Sequence, residues 1–294
     1  MADASRGRAL GRRRPSSALL GVVPFFAYTT VFLLVPTLVV VVGAFLDGDN
    51  RATLGNVEAL TSPSVLRGLR QSVVLSAVTA FAGAVICGVL AYAVSTARAS
   101  SVTKRFITSL CGVLAQFGGV ALAFAFTASF GATGLITLWL NAIGIDTGTG
   151  FWIYEWNKGL MLIYLYFQVP LMVIVFLPAV EGLRPQWREA TETLGGTTWT
   201  FWRRVAGPIL LPSFVGAMLL LFTNAFSAYA TAKALISQGT PLLPLQIAGT
   251  MSSEVILGQE NVGKAMAFAM IVVVAVVMTA YVFLDRRASR WMPR

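Results

Sequence analysis

Histidine is missing from all 294 residues, and that absence excludes more chemistry than any motif supplies. Without it there is no Ser/His or Cys/His nucleophilic pair, no HExxH zinc site and no histidine proton relay. Charge of any sign is scarce, at 12% of the chain, with 12 acidic residues against 22 basic ones. No Asp or Glu interrupts the long apolar runs, so paired intramembrane carboxylates for aspartyl proteolysis or proton-coupled transport are missing too. An ion-driven carrier is disfavoured rather than excluded, because backbone carbonyls can hold Na⁺. No GxxxxGK[ST] loop occurs, so the chain does not bind and split ATP by the P-loop mechanism. Cysteine is limited to Cys87 and Cys111, both inside apolar runs, where packed, reduced thiols are expected rather than a disulfide. What remains is not the inventory of an enzyme.

What the chain has in abundance is apolar length. Apolar residues make up 56% of it and the mean hydropathy is +0.76, values of a membrane protein rather than a soluble globule. A bilayer-crossing helix needs about 20 apolar residues. Six uncharged runs meet that length, at residues 18–46, 71–95, 106–130, 159–180, 205–232 and 265–284. The third run continues uncharged to residue 145. Its last part, 131–145, is short and carries Gly131, Gly134 and Gly144, so the expectation there is a surface or re-entrant helix on the outer side rather than a seventh crossing.

Basic residues test that topology, because Lys and Arg collect on the cytoplasmic side. With six spans, four clusters fall on one side: Arg6, Arg8, Arg12, Arg13 and Arg14; Arg98, Lys104 and Arg105; Arg184, Arg188, Arg203 and Arg204; and Arg286, Arg287, Arg290 and Arg294. A seventh span would invert the last two clusters. The expectation is therefore a cell-membrane protein with both termini cytoplasmic, a basic tail at 1–17, a six-helix domain at 18–284 and a second tail at 285–294. The run after Arg14 is too long for a secretory h-region, so the first span reads as an uncleaved anchor. A net charge of +10 and a pI near 10.2 follow from these clusters, and no nucleic-acid module is visible. In the loop after the first run, Asp47, Asp49 and Glu58 have the spacing of a calcium loop. Arg51 and Ala52 replace its oxygen ligand and turn glycine, leaving an ordinary Asp-Gly turn and no metal site.

The segment REATETLGGTTWTFWRRVAGPILLP, residues 188–212, stands out because it is charged, Gly-broken and Trp-bearing. Its local signals predict a helix starting near Pro185 and ending at Gly195-Gly196. Thr197 or Thr198 caps a second short helix with Trp199, Trp202 and Val205 along one face, and Pro208 and Pro212 then open the fifth span. The stretch resembles the EAA loop of permease subunits of binding-protein-dependent ABC importers, whose pattern is Glu-Ala-Ala followed by Gly and then by Ile-x-Leu-Pro. Here Glu189, Ala190, Thr191, Gly195, Val205 and Gly207-Pro208 stand at those positions, with Thr for the second Ala, Val for Ile and Gly for Leu.

The resemblance implies an all-α polytopic protein with six transmembrane helices and the type I ABC importer permease fold, in which segment 184–208 couples the membrane domain to an ATPase. It implies two ABC ATPase subunits, a second homologous permease subunit, an external solute-binding protein and membrane lipid as partners. The chain itself would bind no cofactor, with ATP and Mg held by the ATPase subunits. Glu189 suits an ion pair across that interface, and Gly195 suits a close backbone approach. The stretch NAFSAYATAKALISQGTPLLPLQI looks most like polyamine-type permeases, with sugar-type, aminophosphonate and iron permeases as alternatives. A carrier of another kind, or a membrane assembly protein without transport, remains the reading from a different class.

Polar residues inside the spans are the candidates for lining a solute route. They include Gln116, Gln168, Thr223, Asn224, Ser227 and Tyr229. A helix–helix hydrogen bond is the competing role for each. Polyamine transport calls for carboxylates or an aromatic cage, and no carboxylate lies in any span.

Overall fold

The computed structural model describes residues 17–96, 101–145, 151–236, 242–252 and 260–289. The basic tail before Ser17, Arg98 and the last residues, Arg290 and Arg294 among them, lie outside these. The described residues form helices α1 (Ser17–Thr29), α2 (Val35–Gly43), α3 (Gly55–Glu58), α4 (Pro63–Thr96), α5 (Ser101–Gln116), α6 (Gly119–Phe130), α7 (Leu135–Ala142), α8 (Met161–Glu181), α9 (Pro185–Thr193), α10 (Thr198–Phe201), α11 (Gly207–Ser227), α12 (Ala230–Leu235), α13 (Leu243–Ser252) and α14 (Glu260–Ser289). Among the described residues there is no strand, and a single bridge pairs Leu46 with Ala52. Among the described residues, six helical segments are long and apolar enough to cross a bilayer.

Proline positions explain the first span. α1 and α2 form one rod joined by a π-helical turn at Thr30–Leu34, directly before Pro36, which has no N–H to give to the preceding turn. One residue on, the Thr37 hydroxyl donates to the Leu33 carbonyl at 2.7 Å. Nothing in its apolar window is buried, so Phe25, Phe26, Tyr28 and Phe32 present their rings outward, where lipid rather than water solvates them. The rod touches the rest of the fold through α14.

α4, α8 and α11 make the centre of the bundle, with α5 against α8, α6 against α12 and α14 against α11. Two apolar clusters fill it along its length. One contains Leu75, Leu122, Ile163, Tyr164 and Phe167, the other Cys87, Met172, Phe176, Leu221 and Phe226. Both cysteines are free thiols, Cys87 buried and Cys111 half-buried. In the loop after the first span, Asp47 accepts the Gly48 N–H on its own carboxylate at 2.7 Å. The buried Asn56 amide donates to the Leu46 carbonyl at 2.7 Å and to that of Ala44 at 3.3 Å. These bonds form a turn with its backbone held in place.

Four expectations need correction. The third run is not one helix over 106–130, because Gly118 and Gly119 interrupt it; Gly119 has φ +68°, a conformation open to glycine and costly elsewhere. By length and hydropathy the span-like segment is Gly119–Ala142; within it α6 stops at Phe130, Gly131 and Gly134 are extended, and α7 (Leu135–Ala142) is the separate short helix expected after these glycines. The fifth helix stops at Ser227, short of residue 232, with Ala228 extended at ψ 105°. The second helix starts at Pro63 and includes Arg67 and Arg70. Finally, α14 runs to Ser289, so much of the region taken as a C-terminal tail is helix.

Candidate functional site

Two places gather the residues that the sequence singled out, the hairpin at 184–208 and a cleft where two broken helices meet. The hairpin forms as its local signals require. Pro185 occupies the first turn of α9 behind an extended Arg184, whose guanidinium lies 5.9 Å from the centre of the Trp187 ring. Arg188 Nε pairs with Glu192 Oε1 at 3.1 Å, one turn on. The helix ends in a Schellman motif: Gly196 N–H donates to the Thr191 carbonyl at 2.8 Å and Gly195 N–H to that of Glu192 at 3.0 Å. Gly195 sits there at φ +77°. Thr197 then caps α10, its hydroxyl accepting from Thr200 N–H at 3.3 Å.

Glu189 is exposed, with no ion pair among the described residues, so its carboxylate is available to another chain. Ala190 is exposed beside it and Leu194 is 87% exposed next to Gly195. Thr191, standing where the importer loop has its second Ala, donates its hydroxyl to the Trp187 carbonyl at 2.8 Å; the substitution is absorbed within the helix. Sequence reasoning missed the outward Leu194, whose signal was its place immediately before the glycine pair.

The second limb differs from the expected separate helix. α10 passes through a π turn, Trp202–Ala206, directly into α11, so the second limb of the hairpin and the fifth span are one continuous rod. Pro208, which is exposed, and Pro212 withdraw two N–H donors just downstream, which explains the wider turn. The π turn also breaks the expected stripe. Trp199 points out, at 67% exposure, whereas Trp202 packs on Phe201 with ring centres 6.1 Å apart and Val205 is half-buried.

At the far end of α11 lies a cleft of about 220 Å³ lined by Ala115, Gly118, Gly119, Phe167, Asn224, Ala228, Tyr229, Ala230 and Thr231. It exists because two helices break side by side, α5/α6 at the glycine pair and α11/α12 at Ala228. The Tyr164 hydroxyl, from α8, donates to the Ala228 carbonyl at 2.8 Å and so occupies an acceptor that the break releases. Asn224 and Tyr229 share this cavity, although Tyr229 lies beyond the end of the helix. Gln116 is exposed at the end of α5, outside the lining. Ser227 is exposed but committed, its hydroxyl donating to the carbonyls of Thr223 at 2.9 Å and Asn224 at 3.2 Å; Thr223 donates in turn to Leu219 at 3.0 Å.

Gln168 requires a correction, because it lines nothing. It has no exposed surface, and its Nε2 donates across the bundle to Thr79 Oγ1 at 2.7 Å. Phe167, its neighbour, is the α8 residue that reaches the cleft. Thr231, Phe167 and the glycine pair were not singled out in the sequence; a Gly-Gly inside an apolar run was the available signal.

Six spans, a surface hairpin continuous with the fifth span and a cleft between broken helices define a multi-pass membrane protein with the fold of ABC importer permeases. A chain of a bacterial ABC transporter involved in the import of the acidic polysaccharide alginate matches with a TM-score of 0.68, 17% identity and coverage of 94% of this chain and 96% of that one. A chain from the bacterial alginate ABC transporter in complex with an alginate pentasaccharide-bound periplasmic protein gives 0.70 at 16% identity, over 93% and 94%.

In sequence, the chain is similar to a probable starch degradation products transport system permease of Thermoanaerobacterium thermosulfurigenes, 25% identical over 154 residues, 51% of this chain and 49% of that protein. It is similar also to a putative ferric transport system permease of Haemophilus influenzae, 24% identical over 68% of this chain and 31% of that protein. The sulfate transport system permease of Escherichia coli is 30% identical over 34% of each chain. The chain thus spans about half the length of the first of these relatives and about a third of the other two. No family model matches it.

Proposed function

We propose that this chain is the permease subunit of an ABC importer and forms half of a translocation pathway for a small solute. One observation carries the reading: an exposed hairpin presents a free Glu189 on α9 and a Schellman turn at Gly195, and its second limb, from Thr198, is continuous through α11 with the cleft at Asn224 and Tyr229. A push on the hairpin therefore reaches the cleft along a single rod. In this reading Glu189, Ala190, Thr191, Gly195, Val205 and Pro208 belong to the contact with an ATPase subunit, one of two, which bind ATP and Mg. A second, homologous permease completes the pathway, and an external binding protein delivers the solute. The basic clusters support cytoplasmic termini and a cytoplasmic hairpin.

For the solute, the resemblance to polyamine-type permeases stands beside sugar, ferric and sulfate relatives. The cleft favours none of the polycations, since no carboxylate lines it. Purification from native membranes tests the reading. An importer permease comes out with an ATPase and a second six-span protein; a chain that comes out alone, as an ion-coupled carrier or an assembly protein would, rejects it.

A further inference from the structure

Hydrogen-bond donors gather in the cleft between the two helix breaks, and no charged side chain is there to meet them. α6, 12 residues long, starts on the cleft at Gly119 with no side-chain cap. The N–H groups of Gly119, Val120 and Ala121 have no acceptor among the described residues. The start of a helix carries about half a positive charge, concentrated on such free N–H groups. An independent feature faces it from the other break: Thr231 is only 3% exposed, lines the same cleft, and its hydroxyl makes no hydrogen bond among the described residues. The Asn224 amide is likewise uncommitted.

Several backbone acceptors released by the second break are already engaged. The Thr223 and Asn224 carbonyls take the Ser227 hydroxyl, the Ala225 carbonyl takes the Ala228 N–H at 3.2 Å, and the Ala228 carbonyl takes the Tyr164 hydroxyl. A cation would meet no carboxylate here. A neutral polyol could use the Asn224 amide and the Thr231 hydroxyl in either sense, but it gains nothing from the α6 dipole. An oxygen-rich anion accepts from the Thr231 hydroxyl, the Asn224 amide and the Gly119 N–H, and lies at the favourable end of the α6 dipole.

We propose that this cleft is a transit subsite for a small oxyanion or for the carboxylate of an organic acid, held by the first N–H groups of α6, the Thr231 hydroxyl and the Asn224 amide. The assignment rests on the importer reading and names its solute class. The absence of a full counter-charge makes the site weak, as a pathway that must release its solute requires.

The test uses the complete permease complex in proteoliposomes, with Cys87 and Cys111 replaced by Ala and Ala115→Cys as a reporter in the cleft wall. Labelling by a neutral, water-soluble maleimide is timed with sulfate, glucuronate, glucose or putrescine present. Sulfate or glucuronate, at about ten times its Kd, slows labelling about tenfold by mass action; the pair separates an inorganic oxyanion from an organic carboxylate. Glucose and putrescine leave the rate unchanged, and Thr231→Val weakens the protection. Protection by glucose or putrescine, none by either anion, full protection in Thr231→Val, or a reporter that never reacts overturns the assignment. ATP hydrolysis stimulated by the loaded binding protein is read separately. Its loss with protection intact removes the importer reading and leaves the site, and the reverse removes the site alone.

Discussion

Gln168 Nε2 donates to Thr79 Oγ1 at 2.7 Å, and Thr79 Oγ1 donates onward to the Leu75 carbonyl at 2.7 Å, so a polar thread ties α8 to α4 in the middle of an apolar bundle. The Gln168 Oε1 at its end has no partner. The two substitutions at this contact therefore have unequal consequences. Thr79→Val leaves the whole Gln168 amide buried and unpaired and costs about 1 kcal/mol or more. Gln168→Leu removes the orphan oxygen together with the donor, and costs less. Unfolding in detergent measures both, and uptake per folded molecule stays at the wild-type level in each because Gln168 lies off the cleft. Equal destabilisation, or lost uptake in Gln168→Leu, contradicts this placement.

The hairpin gives a separation of folding from coupling. Glu189→Lys reverses the free carboxylate, and Gly195→Asp places a charged side chain at φ +77°, a conformation glycine adopts freely. Both variants insert normally, since neither position is in a span. Uptake fails in both, and ATP hydrolysis no longer responds to the loaded binding protein. Normal uptake in both would remove the hairpin from coupling.

Topology is tested by single cysteines in a background lacking Cys87 and Cys111. Asp49→Cys, in the turn after the first span, reacts with impermeant thiol reagents added to intact cells. Thr197→Cys, at the cap of α10, reacts only after the cells are opened. Reaction of Thr197→Cys from outside inverts the orientation inferred from the basic clusters.

A bulky side chain at the cleft separates pathway from packing. Asn224 is exposed and its amide makes no hydrogen bond among the described residues, so Asn224→Trp fills the cavity without breaking a contact within the chain. Uptake is abolished, while the second permease stays attached and basal ATP hydrolysis persists. Loss of the second permease from purified Asn224→Trp complexes would show a packing role, for which a membrane hydrogen bond contributes about 0.6 kcal/mol.

How far each element was legible follows from the range of the forces that specify it. The spans were legible because a charge in the bilayer core is costly wherever it sits in the fold, so an uncharged run declares itself residue by residue. Pro185, Gly195 and Thr197 declared the hairpin for the same reason, since a first-turn proline, a left-handed glycine and a capping hydroxyl act within one turn. The joints were less legible. The π turn before Pro208 and the break at Gly118-Gly119 shift boundaries by several residues, because a freed carbonyl can be met by a wider turn or by a side chain of a neighbouring helix, as the Ala228 carbonyl is by the Tyr164 hydroxyl.

The sequence by itself determined that the chain crosses the membrane about six times and carries a charged, glycine-closed hairpin before the fifth crossing. Only the tertiary structure decided which polar residues face one another. In a soluble protein the solvated face of a helix is marked by its polarity, but here the lipid-facing side and the packed side are equally apolar, so the helical period cannot say which way Gln168 or Asn224 turns. Packing sent Gln168 inward to Thr79, placed Thr231 beside the start of α6, and set two helix breaks 110 residues apart in the chain, at Gly118 and Ala228, around one cleft.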